Sequence, residues 1–442
     1  MPHIRANDPA SVAFNRMLME ELAQKGFYHS IPLPDGRVLE GVVPLQALQE
    51  RAAALPLPER LHGKRLLDIG AWDGFFAFEM ERRGAEVVAL DQTEVENFRI
   101  ARQLLGSRVD YQVQDVYELS PERNGYFDIV LFMGVLYHLK HPLLGLERVC
   151  AVTKEVAIVE SFVTDERLTE TQPLLEFYET TELLGQADNW CGPNLACLLA
   201  MCRAAGFARA ELVRIKDQRA IVACYRHWLP EPAQPSAPAP QLLAATHASN
   251  YGINLASNKD EYLTAFFKTS ETGLNPRNVF PEVGGYGVSP VSVQQTGGDG
   301  WQVSFRLAPG LRRGWHLVRL RTANSSMSNA VKIAVDIPLE VAELKILGAC
   351  DGRTWKPGEV QAGEDARLSL WLSGLPANAD RVNLHVWLGG RRLTVDEVLP
   401  PGESTPERQV NARLPPGFPR GRHELRVSCG QAQADPLLVR VA

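Results

Sequence analysis

The stretch Leu66-Leu-Asp-Ile-Gly-Ala-Trp-Asp-Gly-Phe-Phe76 decides how the first half of this chain is read. A short apolar run ends at Asp68, a loop carries Gly70 and Gly74, and Phe75–Arg83 continues at helical spacing. Glycine has no Cβ, so the loop can turn sharply and its backbone can come close to a ligand. The spacing is Gly-x-x-x-Gly, with carboxylates at 68 and 73. A dinucleotide loop would read G-x-G-x-x-G. Carboxylates here repel a pyrophosphate and attract a cation.

Outward from this loop, apolar runs alternate with helical patterns. Val87–Leu90 is a second buried run, followed by a helix over Val95–Leu105. Val109–Val113 alternates, Ile129–Met133 is apolar, and Pro142–Ala151 has helical spacing. Val156–Val159 is a further strand, Asn194–Ala205 a helix, and Glu211–Ile215 and Ala220–Tyr225 two closing strands. Such alternation needs crossovers, and so a mostly parallel sheet.

Asp91 follows the second strand, about 20 residues beyond the glycine loop, where a carboxylate can accept both hydroxyls of a ribose. Asp115 follows the third strand, where an adenine amino group can be read. S-adenosylmethionine carries a sulfonium and an ammonium beside adenine and ribose, and so matches these acids. The expected fold is α/β, a Rossmann-like seven-stranded class I methyltransferase domain. Its cofactor wall would be Asp68, Gly70, Ala71, Trp72, Asp73, Gly74, Asp91, Gln92, Asp115, Val116, Met133 and Gly134. Asp73 is equally well placed to cap the helix that follows it.

The chain has 442 residues, with 45% hydrophobic and 22% charged side chains, which excludes a disordered or collagen-like protein. The net charge of −6 argues against a strongly basic nucleic-acid binder. Residues 1–230 carry 24 basic and 32 acidic side chains, so the acidity lies in the first half. No apolar run is long enough for a membrane helix, and the N-terminus has no secretory pattern. Seven scattered cysteines without metal spacing are expected to be reduced, in a cytoplasmic protein that needs no metal.

Leu229–Gln241 holds five prolines in thirteen residues and is expected to be a semi-rigid linker. Beyond it, WQVSFRLA, WHLVRLRTA, AVKIAVDI, RLSLWLSGL, RVNLHVWLGGRRL and HELRVSC are short alternating strands, which predicts two all-β, Ig-like sandwiches. The expected division is a catalytic domain over 1–228 with an N-terminal lid segment, the linker over 229–241, and sandwiches over 242–338 and 339–442. The part over 242–275 is ambiguous and reads as a helical or irregular lead-in.

Leu67-Asp-Ile-Gly-Ala-Trp-Asp-Gly-Phe-Phe-Ala-Phe78, Arg82-Arg-Gly-Ala85, and Met133-Gly-Val-Leu-Tyr-His138 with His141-Pro142 resemble class I methyltransferases. They are most similar to the wobble-uridine tRNA methyltransferase/carboxymethyltransferase-like branch. Phe27-Tyr-His-Ser-Ile31, Leu33-Pro-Asp-Gly36 and Asn189-Trp-Cys-Gly-Pro-Asn194 extend the resemblance over about residues 15–226. Carboxymethyl-transferring members of that branch hold their cofactor's carboxylate with a lysine before the glycine loop. Lys25 and Lys64 do not stand in that context, which implies ordinary S-adenosylmethionine and a methyl group.

Tyr137 and His138 follow the fourth strand at the open edge of the sheet. A neutral histidine there can take the proton of an attacking hydroxyl. His138 is the first candidate base and His29, in a segment able to fold over the site, the second. Tyr137 packs near the sulfonium or orients the acceptor, and Glu160 could accept a substrate hydroxyl. Tyr28, Trp190 and Asn194 are candidates for the acceptor wall, with an N-cap as the alternative for Asn194.

Trp301, Trp315, Trp355, Trp371 and Trp387 lie in the β-rich half and could mark a carbohydrate face. The alternation around Trp371 and Trp387 fits sandwich core better. The expected function is methyl transfer to a hydroxyl of a saccharide or other small molecule. The alternatives are a tRNA wobble-uridine methyltransferase, which the acidity disfavours without excluding nucleic acid, and a non-catalytic scaffold with a vestigial cofactor fold. The sequence leaves the oligomeric state open.

Overall fold

The structure is a computed structural model that describes residues 26–164, 172–257, 259–337, 344–376, 379–400, 407–430 and 432–442. The chain forms two compact units. One gathers the residues up to Trp228 with Ala308–Gly310, and the other Leu229–Leu307 with Leu311–Ala442. The division expected near Pro338 and the first 25 residues of the lid segment lie outside the described residues.

The first unit opens with four short strands, β1 (Phe27–His29), β2 (Ile31–Pro32), β3 (Val38–Leu39) and β4 (Gly41–Val43), and a helix over Leu45–Ala54. The main sheet is built from β5 (Arg65–Ile69), β6 (Glu86–Asp91), β7 (Asp110–Val113), β8 (Phe127–Met133) and β9 (Thr153–Phe162). A small pair, β10 (Leu175–Phe177) and β11 (Cys191–Pro193), precedes the closing hairpin of β12 (Arg209–Lys216) and β13 (Arg219–Tyr225). The seven-stranded order is β12-β13-β9-β8-β5-β6-β7. β7, β6, β5, β8 and β9 run parallel, while β13 is antiparallel to β9 and β12. This is the sheet of a class I methyltransferase.

The central strands β5, β6 and β8 are mostly apolar because both faces of the sheet are covered there. Leu66, Val87, Ala89, Ile129 and Leu131 enter one core cluster, and their neighbours Leu67, Val88, Leu90, Val130 and Phe132 enter the other. Successive side chains point to opposite faces, so a strand between two layers of helix reads as one continuous run. The chain leaves β5 toward β6 and β7, then returns to β8 on the other side of β5. That reversal opens a crevice beyond the carboxyl ends of β5 and β8.

The second unit is all β. A four-stranded and a five-stranded sheet use strands between Gln241 and Val335, and a four-stranded and a larger sheet use strands between Lys345 and Val441. In the last pair one core joins both sheets, with Leu368, Leu370, Leu372 and Val410 from one and Val386, Leu425, Val427 and Val439 from the other. This is sandwich packing.

Two expectations are corrected here. The ambiguous lead-in holds two full strands, Gln241–His247 and Tyr262–Lys268, paired antiparallel. Trp371 and Trp387 stay outside the shared core, because their neighbours Leu370, Leu372, Val386 and Leu388 occupy it. Trp301 is the tryptophan that is buried. Within the proline-rich stretch, Ser236 N and Ala237 N donate to Asn324 O at 2.9 and 3.1 Å.

Candidate active site

The glycine loop sits at the crevice. Gly70 and Ala71 donate their N–H groups to Leu90 O at 2.8 and 3.2 Å, fixing the loop to the end of β6. Gly70 has φ +70°, and a Cβ there would come within 2.4 Å of Val135 Cγ2 in the loop after β8. Only glycine lets these two walls approach so closely. Trp72 also has positive φ, 50°, and is 48% exposed.

Asp73 does not cap the helix Phe75–Arg82. The N-cap is Gly74, in the left-handed region and without a side-chain cap. Asp73 is buried, and its Oδ2 accepts from Tyr28 N at 2.6 Å and His29 N at 2.8 Å. The carboxylate therefore ties β1, and His29 with it, to the glycine loop. Burial raises its pKa, partly opposed by those two N–H groups.

Asp91 is buried at the end of β6 and receives Trp72 N at 3.2 Å and Gln92 N at 2.8 Å. Gln92 itself is exposed. Asp115 accepts from Tyr117 N at 2.9 Å as the N-cap of a short 3-10 turn that starts at the buried Val116. Met133 closes β8, and Gly134 follows with φ +76°.

Asp68 lies wholly inside, and its Oδ2 has no hydrogen-bond partner. Burial, then the nearby Asp91, raises its carboxyl to about 8. Burial of an unpaired carboxylate is costly. The folded chain therefore favours the neutral acid. Asp68 contributes its full stability below about pH 4 and loses it as pH rises toward about 8. A cationic ligand beside it removes that penalty. These observations fit S-adenosylmethionine: a buried carboxylate with one unpartnered oxygen, a second acid after β6, and a glycine wall that a side chain would block. At pH 7, binding is expected to release up to about one proton. Titration calorimetry in buffers of differing ionisation enthalpy measures this. Proton release that survives in Asp68→Asn would rule Asp68 out as its source.

The second half of the crevice is a polar cluster. A Cβ on Gly134 would lie 3.5 Å from Tyr137 Oη and 3.7 Å from Glu160 Oε2, so the three share one space. Arg219 Nη1 donates to Tyr137 Oη at 2.6 Å and stands 3.5 Å from Glu160 Oε1. Burial raises the pKa of Glu160, opposed by Arg219 and Arg51. Burial raises that of Tyr137 as well. Arg219 is absent from the sequence reading. Asp217 and Gln218 both have positive φ, forming a tight hairpin turn, and the antiparallel β13 thus begins where the parallel strands end.

The two histidines differ. His29 packs edge-on to Tyr28 and Phe76, at 5.0 and 6.2 Å between ring centroids, and its Nδ1 is buried without a partner. Burial, with Arg51 nearby, lowers its pKa to about 4. His138 Nδ1 lies 3.2 Å from Asp188 O and 3.5 Å from Asp188 Oδ2. Burial lowers its pKa against the pull of Asp188. Tyr28 is 45% exposed. Trp190 N donates to Tyr137 O at 2.7 Å, and Lys140 Nζ sits 4.4 Å above the Trp190 ring.

Asn194 is corrected from the acceptor wall to the cap. It is fully buried, accepts from Cys197 N at 2.8 Å and Leu174 N at 3.1 Å, and donates to Gln172 O at 2.6 Å. Its amide is consumed in holding the helix Leu195–Ala204. Among the described residues no group of His, Cys, Asp or Glu is placed to hold a metal ion, and no helix is long and apolar enough to cross a membrane.

Residues 67–159 match the family model described as "Methyltransferase domain". Residues 67–159 thus form a methyltransferase domain, and the residues of its crevice fit S-adenosylmethionine as cofactor. A ubiquinone biosynthesis O-methyltransferase of Xanthomonas campestris pv. campestris (strain B100) is 41% identical over 103 residues, covering 23% of this chain and 41% of the relative. A tRNA U34 carboxymethyltransferase of Pseudomonas paraeruginosa is 29% identical over 171 residues, covering 36% of this chain and 51% of the relative. The chain thus spans about half or less of the curated relatives it matches. Among solved structures, the N-terminal domain of EvdMO1, in the presence of SAH and D-fucose, aligns at TM-score 0.38 and 20% identity. That alignment covers 50% of this chain and 99% of the other.

Proposed function

We propose that this protein transfers the methyl group of S-adenosylmethionine to a hydroxyl of a saccharide or other small-molecule acceptor. The supporting observation is the polar cluster of Tyr137, Glu160 and Arg219, together with His29, which Asp73 ties to the glycine loop and whose Nδ1 has no partner. When bound, S-adenosylmethionine supplies an electrophilic methyl carbon on a sulfonium. Asp91 accepts the ribose hydroxyls, Asp68 and the Gly70–Gly74 loop face the cationic end, and Asp115 with Val116 borders the adenine. Met133 and Gly134 leave room between cofactor and acceptor.

His29 is the proposed base. Its unpartnered Nδ1 takes the acceptor's proton as the hydroxyl oxygen forms its bond to carbon, and burial keeps the ring neutral beforehand. Tyr137 is fixed by Arg219 and, with Glu160, orients the acceptor for in-line attack. Tyr28 and Trp190 border the acceptor's entry. His138 holds the loop after β8 through Asp188. The rest of the proposed layout is a catalytic unit over 1–228, a linker over 229–241, and sandwiches over 242–338 and 339–442, in a cytoplasmic protein.

The test is incubation of the full chain with methyl-labelled S-adenosylmethionine and separate pools of neutral saccharides, phenols and tRNA. Label is expected in a hydroxyl-bearing small molecule. Label in tRNA alone favours the wobble-uridine reading, and the acidity of residues 1–230 argues against it.

A further inference from the structure

Two tryptophans lie side by side at the outer face of one sheet of the last sandwich. That sheet has the strand order Lys345–Asp351, Arg367–Ser373, Arg408–Arg413, Thr394–Val398. Leu368, Leu370 and Leu372 fill the core, so the period of two turns Ser369 and Trp371 outward. Trp371 stands between Gly348 on one neighbouring strand and Gln409 on the other. A Cβ built on Gly348 would meet nothing within 4 Å, so that side of the indole is open.

Trp355 lies alongside, its ring centroid 6.0 Å from that of Trp371 and inclined by 45°. It is 55% exposed and held at φ +62°, a strained conformation for a bulky residue. Asp351 holds that loop by accepting from Arg353 N at 2.9 Å, Thr354 N at 2.7 Å and Gln361 N at 2.7 Å. The backbone of the loop that carries Trp355 is therefore held in place.

Leu347, Trp371, Leu399, Pro400, Glu407 and Gln409 line a cavity of about 510 Å³. That is a size usual for small-molecule sites. Its rim is polar and ordered. Gln409 Nε2 donates to Asn411 Oδ1 at 3.0 Å, which also accepts from Ser369 Oγ at 2.8 Å. Among the described residues no lysine or arginine lines the cavity. A flat aromatic face beside a carboxylate and an amide suits a ring with an apolar C–H face and hydroxyls at its edge. The carboxylate and the missing cations disfavour an anionic ligand.

We infer that this face binds a neutral saccharide, with a sugar ring stacked on Trp371, Trp355 as a second stacking surface, and Glu407 and Gln409 bonding hydroxyl groups. The inference is independent of the methyl-transfer reading.

The test is affinity electrophoresis of the full chain through gels containing dextran, mannan, xylan or soluble β-glucan. At least one polysaccharide is expected to retard the chain. Trp371→Ala should weaken that interaction by about ten-fold or more, and Trp355→Ala by less. Gly348→Val, which fills the open side of the indole without entering the core, should weaken it too. Trp315→Ala, an exposed tryptophan elsewhere, should not. Unchanged thermal unfolding and cofactor affinity show that each variant is folded. Retardation by none of the four, or unaltered migration of both Trp371→Ala and Gly348→Val, overturns the inference. So does a concentration-dependent dimer abolished by Trp371→Ala, which would give the face to a second copy of the chain. Because the readout needs no cofactor, failure here leaves methyl transfer standing.

Discussion

Replacement of His29 by alanine is expected to lower kcat by about 10²- to 10⁴-fold while leaving S-adenosylmethionine affinity unchanged. The range is that of a lost general base. His29 Nδ1 is buried without a partner, and the ring makes edge contacts with Tyr28 and Phe76. His138 is tied to Asp188, so His138→Ala should cost less in kcat and loosen the loop after β8. The pH profile separates the two further. Burial lowers the His29 pKa to about 4, so the ring is neutral throughout the neutral range. In the free enzyme the acid limb of kcat/KM should therefore fall toward pH 4, well below the ordinary histidine value. A profile that breaks near the ordinary histidine value would rule out His29, and full turnover in His29→Ala with loss in His138→Ala would return the base to His138.

Asp91→Ala is expected to weaken S-adenosylmethionine binding by about ten- to a hundred-fold, from the loss of charge-assisted bonds to a ribose. The same change frees Trp72 N and Gln92 N, which Asp91 now receives at 3.2 and 2.8 Å. Part of the effect is thus loosening of the glycine loop. Asp91→Asn separates the two contributions, since an amide oxygen keeps one acceptor and removes the charge. Calorimetric titration of both variants, with thermal unfolding as the control, measures them. Affinity equal to wild type in Asp91→Ala would remove Asp91 from the ribose site.

The strand, the acid and the glycine loop of 66–76 were legible because each signal is local. A buried parallel strand is a continuous apolar run, and a left-handed turn asks for glycine. The same holds for Asp91 and Asp115 at successive strand ends. The lead-in over 242–275 was not legible. Leu242, Ala244 and Ala245 suit a helix as well as a strand, and the pairing with Tyr262–Lys268 is what makes them a strand. Trp371 was misread for a related reason: alternation shows that two faces differ but not which one a second sheet will cover.

The active site divides along the same line. By itself the sequence determined the parallel α/β sheet, the glycine loop with the acids at the strand ends, and the change to β structure after the prolines, because periodicity and turn chemistry act over a few residues. The tertiary structure alone decided that Asp73 anchors His29, that Asn194 is consumed as a cap, and that Arg219 meets Tyr137 and Glu160. Those contacts join residues 44, 82 and 59 positions apart, or, for Asn194, divide one amide among three partners. They exist only after burial has closed the sheet and brought those residues together. The charge and proton balance of the site are set by burial, and no spacing along the chain encodes it.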